Sequence, residues 1–246
     1  MTASFPSWRL VLDGDHSGAE NMARDVAMLE AVIAGKVPPT LRLYGWSPPC
    51  LTLGRHQVDD AADEKFCRRR GIGIVRRPTG GRAVLHHLEL TYAVAAPLGQ
   101  GTLPRALQDA YRTVCSALVV AVRSFGIDAE LTGGDVNLSL PGPRTKVPCF
   151  EAPAGGEVVV AGRKLIGSSM RARQGHILQH GAILLDWDGR LQAGAMGLPD
   201  DSTLRSHVTT FAELMGAVPT RAELEQALAS AFEGTFSVKL IRQSFC

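Results

Sequence analysis

The 246-residue chain is poor in cysteine, nearly balanced in charge and without any long apolar run. Its five cysteines, Cys50, Cys67, Cys115, Cys149 and Cys246, are odd in number, form no CxxC pair and stand at no ligand-like spacing to histidine. That argues against a disulfide framework or a zinc site, no His, Asp or Glu spacing suggests another metal, and a reducing cytoplasm fits best. The formal net charge is only +2, with 26 basic and 24 acidic residues interspersed. No global field therefore favours nucleic acid or an anionic membrane surface. Nothing approaches the roughly 18 apolar residues of a membrane span. Asp13, Asp15 and Glu20 precede any long apolar stretch, so neither a signal peptide nor an anchor is expected. Internal repeats and low-complexity segments are also missing.

What is present reads as one α/β domain over residues 1–246, large enough to bury its core unaided. Ser17 followed by Glu20 is a capping box, and Met22, Val26, Leu29 and Ile33 recur at helical spacing until Gly35. LRLYGW and LTLG are β-prone and separated by Ser47-Pro48-Pro49, which predicts two strands joined by a tight loop, with a short polar helix over 58–70. Strand-like runs flank Pro78-Thr79-Gly80-Gly81. A helix is predicted from near Pro104 through Leu107, Tyr111, Val114, Leu118, Val122 and Phe125, with Cys115 as a core filler. An irregular connection over 131–148 leads to Cys149. Val158, Val160, Leu165 and Ile166 flank Ala161-Gly162 as in a β-hairpin, followed by a strand over 176–185. Residues 198–207 read as polar linker. Thr210 with Glu213 and Thr220 with Glu223 open two helices, and Phe236, Val238 and Leu240 alternate as a last strand.

Chemistry concentrates between Cys149 and Leu185. Cys149 lies between a Pro-rich loop and a strand pattern, off any helix stripe, and is either a small buried hydrophobe or a nucleophile. Lys164, fifteen positions on, is either a solvated lysine or an ammonium that lowers a thiol pKa and supplies the thiolate. Arg76-Arg77-Pro78-Thr79-Gly80-Gly81-Arg82 is either a solvated turn or an amide-and-guanidinium cradle for a phosphate or carboxylate; it lacks the Lys-Ser/Thr ending of a P-loop. His86 and His87 would point to opposite faces of a strand. His180 precedes Gly181, where a backbone could approach closely.

Three blocks in this order, PPTLRLYGWSPPCLTLGRHQ, VRRPTGGRAVLHHLELTYAV, and CF followed by EVVVAGRKLIGSS and GHILQHGAILL, resemble the biotin/lipoate protein ligase superfamily, most closely its cysteine-dependent octanoyltransferases. The resemblance spans about Ser17 to Leu240. It implies a mixed, mostly antiparallel sheet flanked by helices. It places Cys149 as the nucleophile that takes an octanoyl group from an acyl carrier protein, and Lys164 as the lysine that lowers its pKa. Arg76, Gly80, Gly81 and His86 fall in the implied pocket, with Gly167, Ser168, His180 and Gly181 on its other side and Arg77 and Arg82 in the adjoining loop. The implied acceptor is a lysine of a lipoyl-type domain such as the glycine cleavage H protein, and no cofactor is expected. Backbone amides near Gly80-Gly81 or Gly167-Ser168 are candidate oxyanion donors. His87, Ser169, Met170, Gly155 and Gly156 depart from the family pattern. Alternatives are an ATP-dependent lipoate ligase, in which Cys149 would be idle, a lipoyl-domain amidotransferase, and a non-catalytic acyl-binding module.

Overall fold

Period-two alternation between two apolar layers builds the centre of the protein. In the computed structural model, which describes residues 6–57, 61–100, 103–134 and 155–245, the strand β1 (Ser7–His16) is followed by helix α1 (Gly18–Ile33), β2 (Thr40–Trp46), β3 (Cys50–Leu53), α2 (Glu64–Arg70), β4 (Gly73–Arg76), β5 (Val84–His86) and β6 (Glu89–Pro97). Then come α3 (Leu107–Arg123), β7 (Ala129–Leu131), β8 (Val158–Val160), β9 (Arg163–Arg173) and β10 (His176–Leu184). The chain closes with α4 (Gly189–Ala195), α5 (Ser202–His207), α6 (Phe211–Met215), α7 (Arg221–Phe236) and β11 (Lys239–Arg242).

The large sheet has the order β11-β1-β2-β6-β10-β9-β8-β7, with parallel pairing at β11-β1-β2 and antiparallel pairing elsewhere. This is the mixed, mostly antiparallel sheet flanked by helices that the sequence predicts. One face, with Leu41, Leu43, Tyr92, Val94 and Ile177, packs on α3 and α7 through Val114, Leu118, Leu224 and Phe232. The intervening residues Tyr44, Ala93, Ala95 and Leu178 point the other way, onto Met28, Leu29 and Val32 of α1. Both halves of the predicted capping box of α1 form. Its buried face is Met22, Asp25, Met28, Leu29 and Val32, so Val26 turns outward at 38% exposure.

β4, β3 and β5 form a separate three-stranded sheet, packed through Leu51, Leu53, Leu85, Cys67 and Met196. LRLYGW and LTLG are therefore strands, as predicted, but not partners, because the Ser47–Pro49 turn carries the chain from one sheet to the other. The Ala161-Gly162 hairpin forms between β8 and β9. Other expectations need correction. The third helix starts at Leu107, after Ala106, whose side chain makes no cap, rather than at Pro104. Residues 202–207 are helical rather than linker, anchored by the single buried Leu204, too sparse an apolar signal to show periodicity. Phe236 closes α7 and stacks on Trp8, with ring centroids 4.9 Å apart, instead of opening the last strand. β1, β7 and α4 were not foreseen. No described helix is long and apolar enough to cross a membrane.

Candidate active site

The three-stranded sheet folds over the α1 side of the large one, and a small cleft of about 40 Å³ opens between them. Its walls come from Met22 of α1, Tyr44 and Trp46 of β2, Thr52 of β3, Arg77, Val84 and His86 around β5, Thr91 of β6, Gly167–Ser169 of β9 and His180–Ala182 of β10. Six of the sequence-predicted site residues, Arg77, His86, Gly167, Ser168, His180 and Gly181, meet here.

The polar side chains of this lining are turned onto neighbours. His86 bonds Glu89 Oε1 through Nδ1 at 2.7 Å and Thr52 Oγ1 through Nε2 at 2.9 Å, while its ring stacks on Trp46 at 4.0 Å. The Trp46 indole N–H donates to Thr91 Oγ1, whose hydroxyl donates to Glu89. His180 is bound through Nδ1 to Asp25 at 2.9 Å and through Nε2 to Thr79 at 2.6 Å. Tyr44 donates to Asp25, Tyr92 donates to Ser168 Oγ, and Ser169 Oγ donates to the Gly80 carbonyl. What these side chains present to the cleft is carbon.

The arginine pair is likewise committed. Arg77, 5% exposed, donates to the carbonyls of Thr52, Gly80 and Arg82, and Arg76 donates to those of Gly54 and Gln57. Arg77 thereby holds the Pro78–Arg82 turn in shape, and Arg76 holds the segment after β3. Gly81 has φ +93°, and Gly54 lies so close to it that an added Cβ would sit 1.8 Å from the Gly81 oxygen. Gly181 is also obligatory: a Cβ there would meet the Gly167 carbonyl at 2.4 Å and Tyr92 Cε1 at 2.7 Å.

Beneath the cleft lies a buried polar layer. Asp25 is fully buried and accepts from Arg42 at 2.7 Å, from Tyr44 and from His180. Arg42 also reaches Asp13 and Asn21 and lies over the Tyr44 ring at 3.7 Å. Burial pushes the His180 pKa below the ordinary histidine value, against the opposing pull of Asp25, so the ring is neutral near pH 7. Burial, then the Asp25 charge, raises Tyr44 well above the usual tyrosine range and keeps it a donor.

Lys164 is 1% exposed and forms an ion pair with Glu157, Nζ to Oε2 2.8 Å. A solvated lysine is thereby replaced by an ammonium held in the interior, at the start of the strand that carries Gly167 to Ser169 into the cleft wall. Cys149 lies outside the described residues. Cys50, Cys67 and Cys115 are buried, and desolvation raises them to about 12, 11 and 12, so none is a ready thiolate. Cys50 is 0% exposed. Among the described residues no group of three or more His, Cys, Asp or Glu is placed to hold a metal ion.

Sequence reasoning missed Asp25, Trp46 and Glu157, and took Thr79 only as part of the glycine-rich turn. Asp25 had a signal: it occupies the apolar stripe of α1 between Met22 and Leu29. Glu157 had one as well, since it and Lys164 flank the two ends of one hairpin. Of the departures from the family pattern, Ser169 ties β9 to Gly80, Met170 is core, and Gly156 holds φ +80°.

Residues 17–233 match the family model of the lipoyl protein ligase A/B catalytic domain. The chain belongs to that family. Curated relatives include an octanoyltransferase LipM from Kyrpidia tusciae, 39% identical over 95% of this chain and 89% of the relative, and one from Geobacillus kaustophilus, 37% identical over 95% and 87%. As a lipoyl protein ligase A/B-type domain with such relatives, the chain is an acyltransferase. Its fold is shared with a lipoate-protein ligase A solved with ATP, TM-score 0.75 at 23% identity over 97% of this chain and 89% of that one. A bi-partite lipoate protein ligase from Thermoplasma acidophilum is equally similar, TM-score 0.75 at 22% identity over 97% and 87%.

Proposed function

We propose that this lipoyl ligase-type domain transfers an octanoyl group in protein lipoylation, from an acyl carrier protein thioester to a lysine of a lipoyl-type domain such as the glycine cleavage H protein, through a thioester on Cys149. The observation that carries the reading is the cleft whose polar groups are already spent on one another. It offers an aliphatic chain a carbon surface, and the arginine in its wall, Arg77, is occupied with loop carbonyls rather than turned towards a nucleotide phosphate. The relatives' octanoyltransferase names and their near full-length match support the same acyl group.

In the first step the Cys149 thiolate attacks the octanoyl carbonyl carbon. The new C–S bond forms as the bond to the pantetheine sulfur breaks, and the departing thiolate takes a proton. One thioester replaces another, so no cofactor or ATP is consumed. In the second step the neutral amine of the acceptor lysine attacks the acyl-enzyme, a C–N bond forms, the Cys149 thiolate leaves, and the nitrogen sheds its proton. Lys164 is the cation whose field favours that thiolate, and Glu157 is its counter-charge within the protein. Amides of Gly80-Gly81 or Gly167-Ser168 are the oxyanion donors in this scheme, worth about 3 kcal/mol of barrier each.

Intact-protein mass spectrometry tests the reading. The parent and Cys149→Ala are mixed with octanoyl-loaded acyl carrier protein without ATP. The expected result is an octanoyl adduct on the parent alone, removable by hydroxylamine and passed to a lipoyl-domain acceptor. Modification of the acceptor only when octanoate or lipoate and ATP are supplied, with no adduct on the chain, would establish a ligase instead.

A further inference from the structure

Asp25 comes from α1, His180 from β10 and Thr79 from the glycine-rich turn, yet they form one hydrogen-bonded line across the cleft wall. The protons on that line are fixed by chemistry. An ionised carboxylate only accepts, and the Asp25 oxygens face donors from Arg42, Tyr44 and His180. Nδ1 of His180 therefore carries the hydrogen. In the neutral ring Nε2 is then bare, and the Thr79 hydroxyl at 2.6 Å donates to it. Thr79 is completely buried, so its hydroxyl has no water to fall back on.

We infer that Asp25 is a positioning residue of the acyl cleft: it fixes the His180 tautomer that captures the Thr79 hydroxyl, and so holds the Pro78–Gly81 turn against β10. The inference rests on the octanoyl-transfer reading for its kinetic consequence, though not for its geometry. The same turn is bound from two other sides, where the Gly80 carbonyl accepts from Arg77 and from Ser169. His180 is the tie that reaches across from β10 and the one whose direction can be reversed. Asparagine at position 25 keeps Oδ1 for the Arg42 guanidinium and places its NH₂ where Oδ2 meets Nδ1 and the Tyr44 hydroxyl, which then turns to accept. The ring must then carry its hydrogen on Nε2, and the Thr79 proton is left without an acceptor.

The test uses the full chain with ¹⁵N-labelled histidine. NMR of the parent should show His180 protonated on Nδ1 with a bare Nε2, and Asp25→Asn should reverse the two. Thr79→Val and Thr79→Ser leave the buried charges untouched and carry the kinetic arm if Asp25→Asn fails to fold. With octanoyl-pantetheine as acyl donor, Thr79→Val should raise KM roughly ten- to a hundredfold, the effect of one stranded hydrogen bond, and Thr79→Ser should recover most of the loss. A purely structural defect would lower the active fraction and leave KM alone. A parent His180 protonated on Nε2 or on both nitrogens, or a Thr79→Val with parental KM, overturns the inference. If the parent never becomes acylated, the octanoyl-transfer reading fails, while the tautomers still decide the positioning role.

Discussion

Replacing Glu157 with glutamine should expose how much of the interior depends on the Lys164 ion pair. The two side chains are 1% and 4% exposed and 2.8 Å apart, so water screens little of their attraction. Stripping one charge from such a pair costs about 3–5 kcal/mol, because the other is left buried without its counter-ion. Glutamine keeps an oxygen for Nζ, which places Glu157→Gln near the lower end, about 3 kcal/mol. For a chain of this length each kcal/mol moves the thermal midpoint by about 2–4 °C, giving a fall of about 6–12 °C. Both residues have further contacts, so a double-mutant cycle isolates the pair better than either single change. Lys164→Met should cost about as much as Glu157→Gln. Glu157→Gln combined with Lys164→Met, which removes both charges, should cost far less than the two single changes summed, with a coupling of about 2 kcal/mol or more. The measurement is urea and thermal unfolding followed by circular dichroism. Strictly additive losses, or single changes each below about 1 kcal/mol, would refute a buried, charge-compensated pair.

Gly181→Ala should cost about 1–3 kcal/mol by overpacking, since the new methyl group meets the Gly167 carbonyl and Tyr92; urea denaturation would show it, and an unchanged midpoint would contradict the close approach of β9 and β10. Iodoacetamide near pH 8 followed by peptide mapping should leave Cys50, Cys67 and Cys115 unlabelled until the protein unfolds, because burial raises all three to about 11 or 12. Hydrogen bonds from Arg163 and then Arg205 hold Glu213 at about 2. A depressed carboxylate adds stability that is fully present above its unfolded value of about 4.5 and is lost as pH falls through about 2. The side chain is 34% exposed, so the contribution is only about 1 kcal/mol after screening. Glu213→Gln should remove that part of the acid-side slope, and an identical slope in acid titration would count against it.

Much of the fold was legible because periodicity is local. Met22, Leu29 and Ser17 with Glu20 define α1 without reference to the rest of the chain, and Ala161-Gly162 marks its hairpin in the same way. What stayed hidden depends on partners remote in sequence. β1 pairs in parallel with β2 across the α1 crossover and with β11 near the other end of the chain, and no tight turn announces such a strand. The separation of β2 from β3 into different sheets is decided by packing, not by the residues of either strand. At the site, the family motifs drew attention to Arg76, Arg77, His86 and His180, but residue type could not reveal that their polar atoms are consumed internally. Asp25, the carboxylate bound to His180, comes from α1, which lies outside the motif blocks, and Glu89, bound to His86, sits inside a block without being marked by it.

The line from Asp25 through His180 to Thr79 also sets when the site can exist. Asp25 and His180 are 155 residues apart, and Thr79 and His180 are 101 apart. At the usual 5–20 residues per second of synthesis, roughly 8–30 s pass between the emergence of the first and the last of them. Throughout that interval Asp25 and Arg42 can already meet, but the glycine-rich turn has nothing from β10 to close upon. The cleft thus cannot close until β10 has been made, and a product truncated before residue 180 would carry the glycine-rich turn without the wall that gives it shape.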